Sequence, residues 1–266
     1  MGGYVHGYDE RERARLEDQA RTLEDLLHAG TSYPGGAVLE AGCGVGAQTV
    51  PLARNSPGAR ITGVDTSAAS LDQARARVAA AGVSNAGFVR ADILALPFAA
   101  ASFDHVFLCF VLEHLPDPAA ALAASRRVLR PGGTITAIEG DHGSTLFHPD
   151  SDAARAAIGC QVELQRRAGG NALIGRRLSP LLRGAGFGTV RVSPRSVYAD
   201  AGRPALVDGF IRRTFTAMVE GVRSPALAAG LIGAETFDAG IQNLHRTTEP
   251  DGVFCYTFFK ATGVQT

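Results

Sequence analysis

The stretch VLEAGCGVGAQTV, Val38 to Val50, decides the fold. A short apolar strand runs into Gly42, Gly44 and Gly46, and a helical pattern follows at once. Glycines at such a junction let the backbone turn sharply and meet a ligand with no Cβ in the way. Nineteen residues past Gly46, at the end of the next apolar strand RITGVD, stands Asp65, where a carboxylate can accept from both hydroxyls of a ribose. Working outward, strands and helices alternate. SLDQARARVAAAG is a helix, AGFVRADI a strand, FDHVFLCFVLEHL a buried strand entering a loop, PAAALAASRRVLR a helix, and TITAIEG a fifth strand. This rhythm predicts βαβ units and a parallel sheet covered on both faces.

The glycine spacing alone leaves the ligand open. Gly42-x-Gly44-x-x-Ala47 satisfies a dinucleotide fingerprint, and Gly42-x-Gly44-x-Gly46 satisfies a loop that holds S-adenosylmethionine. The surroundings separate the two. Glu40 precedes the glycines, where an acid meets an ammonium well and a pyrophosphate badly. In RADILALPF, Asp92 can accept from an adenine amino group and Ile93 can cover the ring. FVLEHLPDP closes the fourth strand, and LRPGG precedes the fifth.

Together, from about Val38 to Ile138, these residues resemble a class I S-adenosylmethionine-dependent methyltransferase of the small-molecule type. The resemblance implies an α/β, Rossmann-like sheet of seven strands, the last antiparallel and inserted between strands five and six; the late GVFCYTFFK run suits that strand. It also implies that Glu40, Gly42, Gly44 and Gly46 hold the methionine end of S-adenosyl-L-methionine, Asp65 and Thr66 its ribose, and Asp92 and Ile93 its adenine. Phe110 and Val111 would line the site, His114 would pack the loop against the cofactor, and S-adenosyl-L-homocysteine would be the product. A weaker resemblance, carried by YVHGY and EGDHGS, is to actinobacterial natural-product methyltransferases, including indole C-methylating ones.

The rest of the chain supplies the expected walls of a pocket. From Asp9 to His28, Leu16, Ala20, Leu23 and Leu27 recur at helical spacing, so residues 1–30 read as an N-terminal lid segment and helix. Ahead of that helix stand Tyr4, His6 and Tyr8. Aromatic faces suit a sulfonium, and phenol or imidazole groups can orient an acceptor; Tyr4 is assigned to substrate, His6 and Tyr8 to catalysis. Residues 31–140 form the cofactor-binding core. Residues 141–266 complete the sheet and carry cap insertions at about 141–175 and 200–246. EGDHGSTLFHPD is read as a loop leaving the ligand-binding edge of the sheet, so Glu139 and Asp141 are expected at the substrate and His142 in catalysis. Phe215, with Phe210, Met218 and Phe237 in the late helical region, should build an apolar wall.

Composition bounds the function. Among 266 residues, 26 acids balance 26 bases, which leaves no electrostatic footprint for nucleic acid or anionic lipid. No apolar run approaches the roughly 20 residues of a spanning helix, and no secretory h-region opens the chain, so a cytoplasmic protein is expected. The four cysteines are scattered, arguing against a zinc ribbon or a disulfide framework, and no metal is expected. Lys260 is the only lysine; the other bases are arginines. The expected activity is methyl transfer by in-line displacement, in a lidded pocket, to a small, largely apolar acceptor of an aromatic or indole type, by a monomer or homodimer. The competing classes are an NAD-dependent oxidoreductase and a non-catalytic S-adenosylmethionine-binding partner subunit.

Overall fold

The structure, a computed structural model, describes residues 10–266. Seven strands form one sheet in the order β3-β2-β1-β4-β5-β7-β6. They are β1 (Gly36–Ala41), β2 (Ala59–Asp65), β3 (Ala86–Arg90), β4 (Phe103–Cys109), β5 (Leu129–His148), β6 (Phe187–Ala199) and β7 (Val253–Gln265). The first five are mutually parallel, and β7 runs antiparallel to both β5 and β6. The chain steps outward from β1 to β3, then returns to lay β4 on the other side of β1. That reversal opens a crevice at the carboxyl ends of β1 and β4, where ligands bind in open α/β sheets.

Alternation along each strand assigns the two faces. Val38, Phe107 and Ile138 pack in one cluster, with Leu23, Leu27, Leu52 and Ile61. Their neighbours Leu39, Val106 and Ala137 pack in the other, with Leu122, Leu178 and Leu182. The first face therefore carries α1 (Glu10–His28) and α5 (Asp152–Arg167), and the second carries α4 (Pro118–Val128) and α6 (Leu178–Gly184). Helix starts follow local chemistry: Asp117 accepts from the Ala120 N–H ahead of α4, and Ser151 from the Ala154 N–H ahead of α5.

The late helical region caps the first face. α7 (Pro204–Leu206) runs into a π-helix (Val207–Thr216) and α8 (Ala217–Gly221), followed by α9 (Arg223–Ala228) and α10 (Ala234–Arg246). Phe210, Phe215 and Phe237 are buried there with Phe254, Tyr256 and Phe258 of β7. The π-helix lies directly on α1: a Cβ at Gly209 would stand 2.2 Å from the Thr22 Oγ1. A second tie comes from Lys260 on β7, whose ammonium donates to the Ala29 carbonyl at 2.8 Å and to the Thr31 hydroxyl, just beyond the end of α1.

One element departs from its reading. EGDHGSTLFH is not a loop; β5 continues through it to His148, with a register shift between Asp141 and Leu146, paired to Val253–Phe259 of β7. A strand partner more than a hundred positions away supplies the ladder that local sequence could not announce. Among the described residues no helix is long and apolar enough to cross a membrane.

Candidate active site

A cavity of about 440 Å³ opens along the carboxyl ends of the strands, reaching from the turn after β3 across β2, β1, β4 and β5 to β7. The glycine loop forms its floor. Gly44 lies in the left-handed region at φ +50 with open space where a Cβ would stand, so its bare backbone faces the cavity. Gly42 also lines it. Gly46, expected at the cofactor, does not. A Cβ there would come 2.9 Å from the Ala74 Cβ, so this glycine serves the close approach of α3 (Ala68–Ala80).

Three acids end three adjacent strands. Glu40 of β1 is buried, and its Oε2 has no hydrogen-bond partner. Burial pushes its carboxyl up to about 8. Asp65, closing β2, accepts from the Gly44 N–H at 3.0 Å and the Ser67 N–H at 2.9 Å, which fixes both carboxylate oxygens beside Thr66 at the cavity wall. Each oxygen keeps a lone pair for a hydroxyl. Asp92, after β3, caps the short turn Ile93–Ala95 by accepting from the Leu94 N–H, with the buried Ile93 beside it on the lining. An unpartnered buried carboxylate oxygen, a pinned diol acceptor and an acid next to an apolar side chain match the ammonium, ribose and adenine of S-adenosylmethionine in that spatial order. These residues fit the group.

The loop after β4 forms the next section. Phe110 lines the cavity at φ +58, a conformation few bulky residues adopt, and its N–H donates to the Ile138 carbonyl at 2.9 Å. Glu139 explains how the loop is held. Its Oε1 accepts from the Val111 N–H at 3.0 Å and the Leu112 N–H at 2.8 Å. Burial, then the neighbouring Glu113 carboxylate, push the Glu139 carboxyl well above its ordinary range. Glu113 and His114 line the cavity, and the Gln165 amide of α5 donates to the Glu113 carbonyl at 3.0 Å.

The far wall lies on β5 and β7. Gly140 and His142 line the cavity there, with Tyr256, Phe258 and Met218 of α8. The His142 Nδ1 is 2.8 Å from the Tyr256 hydroxyl. Burial lowers the His142 pKa and raises that of Tyr256, so near neutral pH the pair is an uncharged imidazole on an uncharged phenol.

Three expected substrate contacts do not line the cavity, two of them because of strand parity. Residues two apart share a face of a strand. With Gly140 and His142 on the cavity, Glu139 and Asp141 fall on the other parity, and neither lines it. Asp141 instead accepts two bonds from the Arg176 guanidinium, at 2.6 and 2.8 Å, and one from the Gly143 N–H. Phe215 is buried behind the wall, 4.9 Å from the Phe254 ring and edge-on to His142. Tyr256, Glu113, Gln165 and Phe258 escaped the sequence reading. The alternation of β7, with Phe254, Tyr256 and Phe258 on one face, was the available signal. Tyr4, His6 and Tyr8 lie outside the described residues; Arg15 and Gln19 bring α1 onto the cavity. Among the described residues no group of three or more His, Cys, Asp and Glu is arranged to hold a metal ion.

A sheet of this order, with a glycine loop after β1 and acids ending β1, β2 and β3's turn, defines the class I methyltransferase fold and its cofactor crevice. Comparison with known proteins agrees. Residues 39–137 match the family described as methyltransferase domain. The stretch that carries the glycine loop, Asp65 and Asp92 is thus similar to a methyltransferase domain. The chain is 38% identical over 219 residues to an uncharacterized 37.1 kDa protein in transposon TN4556 of Streptomyces fradiae, covering 80% of this chain and 61% of that one. It is 34% identical over 132 residues to the 27-O-demethylrifamycin SV methyltransferase of Amycolatopsis mediterranei, covering 49% of this chain and 48% of the other. The fold is shared with phosphoethanolamine N-methyltransferase 2 of Haemonchus contortus, at 18% identity and a TM-score of 0.57, over 92% of this chain and 52% of that one. The matches span between 41% and 61% of the length of these and other curated relatives.

Proposed function

We propose that this chain transfers the methyl group of S-adenosyl-L-methionine to a small, largely apolar acceptor of aromatic type. The observation that carries the reading is the division of one cavity. Its β3–β2–β1 part ends in Asp92, Asp65 and Glu40, and its β5–β7 part ends in His142, Tyr256 and Phe258. At about 4.8 Å per strand, β2 and β7 lie four spacings apart, roughly 19 Å. An extended cofactor and a compact acceptor meet near β4 on that scale. Bound, the cofactor supplies an activated methyl on a sulfonium. The chain's own residues do the rest. Asp65 and Asp92 fix the nucleoside, Glu40 the ammonium, and Phe110 and Val111 close the space beside the reacting atoms.

Holding the acceptor near attack distance, about 3–3.5 Å, and keeping water out supply much of the rate. The apolar faces of Phe258 and Met218 suit an uncharged ring. Tyr4, His6 and Tyr8 complete the lid in this reading, with His6 and Tyr8 orienting the acceptor. Arg15 and Gln19 of α1 line the cavity, which supports this reading. The relatives named above act on acceptors as different as a rifamycin and, by its name, phosphoethanolamine, so the acceptor must be read from this chain's own wall. Calorimetric titration with S-adenosylhomocysteine, then with NAD, tests the cofactor. Release of S-adenosylhomocysteine from a panel of aromatic hydroxyl, amine and indole acceptors tests the reaction. Tight NAD binding would replace this reading with the oxidoreductase one, and cofactor binding without turnover on any acceptor would favour a non-catalytic subunit.

A further inference from the structure

The β5–β7 wall carries a feature that the proposed methyl transfer leaves unused. Two proton-handling groups from distant parts of the chain touch inside the cavity. The Tyr256 hydroxyl and the His142 Nδ1 are 2.8 Å apart, both residues line the cavity, and both are buried. The phenol is seated against bare backbone: a Cβ at Gly140 would stand 2.4 Å from its oxygen, so glycine makes room for it. Phe215 packs edge-on against the imidazole at 5.9 Å and at 5.6 Å from the Tyr256 ring, which holds both rings in place.

Building on the proposed function, we infer that Tyr256 and His142 form a proton-accepting pair facing the methyl acceptor, and that the acceptor is an uncharged ring presenting an O–H or a ring N–H. Either tautomer of the pair has one place for a proton. If the phenol donates to Nδ1, an acceptor hydrogen bonds to the Tyr256 oxygen, and the phenolic proton moves on to Nδ1. If Nδ1–H donates to the phenol, Nε2 takes the acceptor's proton directly. The balance is the same in both. The acceptor's heteroatom–hydrogen bond breaks, and its electron pair stays with the acceptor and forms the bond to the methyl carbon at the heteroatom or, through the ring, at carbon. The carbon–sulfur pair returns to sulfur, and the proton ends on imidazolium.

Charges of both signs surround His142. Asp141 on β5 and Glu113 after β4 favour the imidazolium, while Arg15 on α1 and His114 oppose it. Burial keeps the resting imidazole neutral, ready to accept. The faces of Phe258 and Met218 beside the pair are apolar and suit an uncharged ring.

The test uses the full chain with saturating S-adenosylhomocysteine, whose own binding is measured first and tests the cofactor half separately. Two probe pairs are titrated by calorimetry: 2-naphthol against 2-methoxynaphthalene, and indole against 1-methylindole. At least one donor-bearing probe should bind about tenfold or more tighter than its capped twin; Tyr256→Phe should bring that ratio close to one if the phenol oxygen receives the probe, and His142→Phe should do so if Nε2 does. Nitrogen-15 spectra of wild type should show His142 titrating below 6.5, with midpoint and tautomer ratio shifting in Tyr256→Phe. Equal binding of both members of each pair, absence of binding by all four, a ratio that survives both Tyr256→Phe and His142→Phe, or a His142 titration indifferent to Tyr256→Phe would each overturn the inference.

Discussion

The buried carboxyl of Glu40 makes cofactor binding depend on pH in a direction and by an amount that can be worked out. In the free protein burial raises its pKa to about 8, and its Oε2 is unpartnered. To hold an ammonium the group must be ionised. At pH 6, about two units below that pKa, ionising it costs about 2.7 kcal/mol, and at pH 7 about 1.4 kcal/mol. Apparent affinity should therefore rise about tenfold between pH 6 and pH 7, and level off above about 8. Over pH 6–7 the cofactor's own amino group stays charged, so it adds little. Each binding event should release close to one proton. Calorimetry with S-adenosylhomocysteine in phosphate and in Tris, whose ionisation enthalpies differ, counts that proton directly. Glu40→Gln supplies the internal control. Its affinity should lie below wild type already at pH 6, stay flat with pH, and fall further behind as pH approaches 8. The same shift acts on the free fold: the native state holds this proton more tightly than the unfolded chain, so this group's contribution to stability declines as pH rises from 4.5 to about 8. Affinity that stays flat from pH 6 to 7 with no proton released would refute the assignment of Glu40 to the ammonium.

Other expectations follow from single residues. Gly44→Val puts a branched side chain into the cavity from a left-handed backbone position, and should weaken S-adenosylhomocysteine binding by about a hundredfold or more while circular dichroism holds; undiminished binding would remove the loop from the site. Arg176→Ala strands the buried Asp141 carboxylate, and should cost about 2–3 kcal/mol in urea unfolding, discounted because the arginine is half exposed. An unchanged unfolding midpoint would mean that water replaces the guanidinium at no loss. Deleting residues 1–8 should leave the melting temperature near its starting value and lower turnover far more than cofactor affinity, because closure excludes water and places the acceptor; full turnover in the truncated protein would end the lid assignment of Tyr4, His6 and Tyr8.

Much of the cofactor half was legible in the chain itself. Short apolar runs separated by helical patterns dictate a parallel sheet, and the sheet places every strand-ending residue on one edge. Glu40, Asp65 and Asp92 end consecutive strand segments, so their convergence follows from local order alone. A glycine that must face a ligand can likewise be read from its place between strand and helix, although Gly46 shows that spacing cannot separate a glycine facing a ligand from one facing a helix. The acceptor half was different. Whether residues 141–148 were loop or strand depended on Val253–Thr257 arriving as a partner, and that arrival carried on the parity which turns His142 inward and Asp141 away. Tyr256 meets His142 across 114 positions, and Lys260 reaches the Ala29 carbonyl across 231. Local patterning fixes which residues of one strand share a face. Only the assembled sheet fixes the register between strands, and with it which side chains from distant segments come within reach of one proton.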